Sequence, residues 1–85
     1  MAKPIIDPVQ VFKDFRAFGL SELDSKLLTN CINQYFACSW VNNDHITTES
    51  LQNVVKYIEE KQLGIAIDVM TDRTGKFVWE VKIRP

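Results

Sequence analysis

Apolar residues recur along this chain with two periods, and the switch between them divides it. As far as about Leu63 they return every three to four residues, the spacing of one helix face; from Ile65 onward they alternate, the spacing of a strand. The helical part falls into three stretches. The first, about 8–18, carries Val11, Phe12, Phe15 and Phe18 on one side and Lys13, Asp14 and Arg16 on the other. Asp7 can cap it, and Pro8 suits a first helical position, where the missing N–H has no intrahelical partner anyway. Gly19 predicts the stop, with Leu20 placed for the apolar contact that accompanies such an end.

The second stretch, about 21–38, has the widest stripe: Leu27, Leu28, Cys31, Ile32, Tyr35 and Phe36, with Lys26, Thr29, Asn30, Asn33 and Gln34 opposite. Ser21 caps it, with Asp24 three residues on. The rest of the chain reads as cover for this stripe. Ser39 to His45 is expected as a loop, because Asn42, Asn43 and Asp44 are turn formers. The third stretch, about 48–63, starts at a Thr47 cap with Ile46 and Leu51 at staple positions. Leu51, Val54, Val55 and Ile58 form its stripe, and Gly64 is its expected stop.

Beyond Gly64, residues 65–70 and 77–83 alternate apolar and polar, and Gly75 in the connection supplies the positive φ that a bulged hairpin turn needs. The odd-numbered face (Ile65, Ile67, Val69, Phe77, Trp79, Val81, Ile83) is expected against the core and the even-numbered face in water. The order predicts an α+β fold: three helices packed on a C-terminal antiparallel β-hairpin. Two strands alone are marginal. The hairpin must lean on the helices, gain an edge strand from the N-terminal arm around Ile5 and Ile6, or pair across a homodimer. If the last strand is an edge, Lys82, Arg84 and Pro85 discourage open-ended pairing.

With 85 residues the chain reads as one domain, 1–85, and with 46% apolar residues and nine aromatic ones it is expected to build a core without metal, disulfides or cofactor. Net charge is −1, and neither half is strongly basic, which weakens any reading as a nucleic-acid binder. No apolar run has the length of an export signal or a membrane span. Cys31 and Cys38, two turns apart on one helix, would stand roughly 10 Å from each other, too far to bridge. Free thiols of that kind fit a reducing, cytoplasmic setting.

Candidate chemistry is thin. Asp44 and His45 are neighbours in a loop, without the converging nucleophile that an acid–base pair serves. Two cysteines and one distant histidine do not make a zinc set. Glu59 and Glu60 point about 100° apart on a helix and do not share a proton. Three glycines, each with a turn or cap to make, leave none for a phosphate loop. The expected function is therefore a small, non-enzymatic protein-binding module of the bacterial or phage accessory or inhibitor type. The partner surface is expected at the hairpin edge, which could also pair a homodimer, together with the Trp40 loop; Trp40, Val41, Arg73, Lys76, Lys82 and Arg84 are the candidate contacts. Trp40 either anchors a partner or closes the end of the core with its indole N–H on a loop carbonyl. The alternative is a winged-helix-like DNA binder using residues 48–63 and the hairpin tip. Three helices, a hairpin and a basic tip favour it; the long 39–45 connection and Glu49, Glu59 and Glu60 on the recognition helix oppose it.

Overall fold

In the computed structural model, which describes residues 6–42 and 46–84, the chain runs α1 (Pro8–Ala17), α2 (Glu22–Gln34), β1 (Cys38–Val41), α3 (Thr48–Glu60), β2 (Ile65–Thr71) and β3 (Phe77–Ile83). The fold is α+β, with the hairpin at its C-terminal end, as the two periods predict. The arm 1–5 and the Asp44–His45 pair lie outside the described residues.

Each helix starts where its cap residue places it. The Asp7 carboxylate accepts from the N–H groups of Val9 and Gln10, Ser21 Oγ from Asp24 N–H, and Thr47 Oγ1 from Ser50 N–H. Helix α1 ends at Gly19, whose φ of +102° lets Gly19 N–H reach Arg16 C=O and Leu20 N–H reach Phe15 C=O. Leu20 is thereby buried, like Phe15.

The other two helix ends differ from expectation. Helix α2 stops at Gln34, not near residue 38. Tyr35 takes the left-handed conformation (φ +57°), and Phe36 N–H bonds back to Cys31 C=O. The chain then doubles back, so residues 38–41, expected as helix end and loop, form β1 instead. Phe36 leaves the apolar stripe and is exposed. Helix α3 stops at Glu60, and Gln62 (φ +52°), ahead of Gly64, makes the left-handed turn, with Leu63 N–H on Ile58 C=O. In both helices a non-glycine residue holds the position that glycine usually marks, so the sequence carries no stop signal there.

The reversal after α2 also decides the cysteines. Cys38 returns beside Cys31 with 6.8 Å between Cα atoms, and the two are joined by a disulfide. The expectation of free thiols fails because it placed both on one continuous helix. With both sulfurs bonded, cysteine usage no longer points to a reducing, cytoplasmic compartment.

The sheet has the order β1-β3-β2, both pairs antiparallel. The third strand is thus β1, and β3 is central, so of the two positions left open for the last strand it takes the inner one. The odd residues of β2 and β3 share a face with Cys38 and Trp40 of β1. This face meets the helices, and Ile65, Trp79 and Val81 on it are buried. They join Val11, Phe15, Leu20, Leu28, Ile32, Val54 and Ile58 in one core cluster. The hairpin turn is held by Asp72, whose Oδ1 accepts from the Thr74 hydroxyl and the N–H groups of Thr74 and Lys76; Gly75 takes φ +87°.

Candidate protein-interaction surface

The six candidate contacts do not converge on one patch. Trp40 faces the core half-buried: its ring lies over that of Trp79, and its indole N–H donates to Asp24 Oδ1 at 3.0 Å, a carboxylate on α2 and not a loop carbonyl. Val41, the next residue, points to the opposite face and is 48% exposed. The register sets Val41 beside Val78, and Val78 beside Met70, itself 52% exposed. These three form an apolar row across the outer face of the sheet at its turn end. Arg73 and Lys76 lie exposed in the adjoining turn.

Further along the outer face, Lys82 Nζ lies 3.1 Å from Glu80 Oε1 and 3.4 Å from Asp68 Oδ2. The bond to Glu80, then that to Asp68, holds the ammonium protonated above its ordinary range. All three side chains meet solvent, so the network contributes little to stability. Arg84 stands at the opposite end of the sheet from the turn. Its N–H donates to Gly64 C=O and its C=O accepts from the Tyr35 hydroxyl. Arg73, Lys76 and Arg84 enter no ion pair among the described residues.

The sequence pointed to a hairpin edge but not to the strand that carries it, which is β2. Among the described residues β2 has β3 on one side and no strand on the other. The bonds Asp72 N–H to Lys76 C=O and Arg84 N–H to Gly64 C=O mark bonded pairs at both ends of the hairpin. Antiparallel bonding alternates, so Ala66, Asp68 and Met70 spend their main-chain groups on β3. Ile65, Ile67, Val69 and Thr71 turn theirs outward. Beside this edge two adjoining cavities, about 350 and 170 Å³, separate β2 from α3 and share Ile58, Glu59, Ile65 and Arg84. The smaller is lined by core-facing Ile65 and Ile67 and by outward-facing Ala66 and Asp68 alike, with Val55 and Ile58 across from them. Residues of both faces can line one cavity only if the strand's own backbone edge is its wall.

Among the described residues no three His, Cys, Asp or Glu side chains gather into a metal set, and no helix is long and apolar enough to cross a membrane. Ser25 and Thr29, buried on α2, have hydroxyls with no hydrogen-bond partner among the described residues. Comparison with known proteins finds no match for this chain among family models, curated proteins or solved structures.

Proposed function

We propose that this domain is a small non-enzymatic protein-binding module, an accessory or inhibitor protein of bacterial or phage type. The observation that carries the reading is the edge of β2, which no strand covers among the described residues, beside its groove. The strand has seven residues, IAIDVMT, with no proline, glycine or lysine to blunt it. Soluble proteins guard such edges, because outward-facing N–H and C=O groups template pairing with another chain. An edge guarded only by Asp68, itself engaged by Lys82, fits a surface that a partner covers. The apolar row Val41, Val78 and Met70, beside Arg73 and Lys76, extends the available contact onto the outer face.

Duplex binding finds less support. The solvent-facing residues of α3 and its end include Glu49, Glu59 and Glu60 against Lys56 and Lys61, a poor charge for a phosphate backbone. The test is capture by the tagged full chain from a lysate of its source, with and without nuclease, read by mass spectrometry. A stoichiometric protein that survives nuclease is the expected result. Recovery of nucleic acid alone, or of partners lost with nuclease, overturns the reading.

A further inference from the structure

We infer that the open edge of β2 takes an extended segment of a partner polypeptide as a fourth strand, seated against α3 with an acidic side chain at Arg84. The inference rests on the protein-binding reading and names the form its partner takes. Three observations specify the occupant.

The first is the main chain. Ile65, Ile67, Val69 and Thr71 offer outward N–H and C=O groups at every second residue, a repeat that only another extended chain matches along its length. Seven residues of strand span about 23 Å, room for a segment of similar length. The second is the wall opposite. Val55 and Ile58 of α3 border the groove with apolar surface. Alternate side chains of an added strand point to that side, so the segment should be apolar at every second position. The third is charge. Arg84 lines both cavities from the sheet side, is exposed, and has no ion pair among the described residues, while Glu59 lines both from α3 and Asp68 in mid-strand is engaged by Lys82, so the acid belongs on the sheet side, away from Glu59. A carboxylate at the Gly64 end of the segment answers Arg84. A second copy of this chain is the poorer occupant: pairing antiparallel about its middle sets one Asp68 opposite the other, and like charges directly opposite are unfavourable.

The test starts from phage-displayed random ten-residue peptides selected on the full chain. An enriched peptide is then synthesised and titrated into the 15N-labelled protein. The expected peptide alternates apolar residues and carries Asp or Glu. Its binding slows amide exchange of Ile65, Ile67, Val69 and Thr71 at least tenfold and leaves Ser39 and Val41, on the β1 edge, unchanged. Arg84→Glu weakens binding at least tenfold, and a peptide with Lys in place of its acid restores it. Val69→Pro, which removes an outward N–H and no bond to β3, also abolishes binding while the fold, checked by circular dichroism, persists. Failure to enrich any peptide overturns strand addition. So does a peptide that perturbs Val41, Val78 and Met70 instead, which leaves the protein-binding reading standing on a different face. Protection of the same four amides by dilution-sensitive self-association makes a second copy the occupant. Binding that appears only when residues 1–5 are removed makes the chain's own arm the occupant. Either of these also overturns the inference.

Discussion

Trp40 and Trp79 stand opposite each other in the β1–β3 register and stack, with ring centroids 5.8 Å apart and planes 9° from parallel. Each indole N–H reaches a side chain of another segment: Trp40 reaches Asp24 on α2, and Trp79 reaches Asn42 at 2.8 Å. The pair therefore ties the short strand β1 both to the central strand and to the helix behind it.

Trp79 is fully buried, so Trp79→Ala should lower unfolding free energy by roughly 3–5 kcal/mol, the usual cost of emptying an aromatic core site. Trp40→Phe keeps a ring on Trp79 but removes one donor to a buried carboxylate, and should cost about 1–3 kcal/mol. Urea denaturation followed by far-ultraviolet dichroism reads both. An unchanged midpoint for Trp79→Ala contradicts the assignment of the odd-numbered face to the core.

The Cys31–Cys38 bridge closes a short loop, and loop-closure entropy gives it roughly 2–3 kcal/mol. Reduction, or the double replacement Cys31→Ala/Cys38→Ala, should lower Tm by roughly 10–20 °C for a domain of this size. A thermal scan with and without reductant checks this. A reduced protein that melts where the oxidised one does speaks against the reversal of the chain at Tyr35.

Gln62 and Gly75 make opposite predictions from the same physics. Both have positive φ, which costs a residue with a Cβ and costs glycine nothing. Gln62→Gly at the end of α3 should stabilise by roughly 0.5–1 kcal/mol. Gly75→Ala should destabilise by about 1 kcal/mol through conformation alone, since an added Cβ meets no atom within 4 Å. Paired denaturation curves measure both signs.

The Tyr57 hydroxyl donates to Asp14 Oδ2 at 2.6 Å. Burial first, then the bond to Asp14 and its negative charge, pushes the phenol well above its ordinary range. The folded state thus holds the proton more tightly than the unfolded one. Tyr57 contributes its full stability below about pH 10, the ordinary phenol value, and loses it as pH rises from there. Tyr57→Phe should remove this component, so the stability difference between wild type and variant narrows above pH 10. A difference that stays constant from pH 8 to 11 contradicts the assignment.

Much of the fold was legible because the caps and the periods agreed. Asp7, Ser21 and Thr47 each sit immediately ahead of an apolar stripe, and the Gly75 turn separates two alternating runs. The central error had one origin. The stripe of α2 continues at helical spacing through Tyr35 and Phe36, with no glycine or proline to mark the break, and Tyr35 pays the left-handed conformation that glycine would take freely. From that one position follow the missed strand and the missed disulfide. The candidate surface was legible only in part. Val41, Arg73, Lys76, Lys82 and Arg84 could be named from the sequence as candidate contacts. The groove beside β2 could not, because it exists only once β1 has taken the far side of β3 and left β2 outermost.

The central place of β3 also sets an order of events. Both strands that flank it precede it in the chain, and neither pairs with the other. During synthesis the helices and the α2–β1 corner emerge first, with two strands that have nothing to bond until the last one arrives. Neither ladder can form before β3 is made, and until then Trp40 lacks the ring it stacks on.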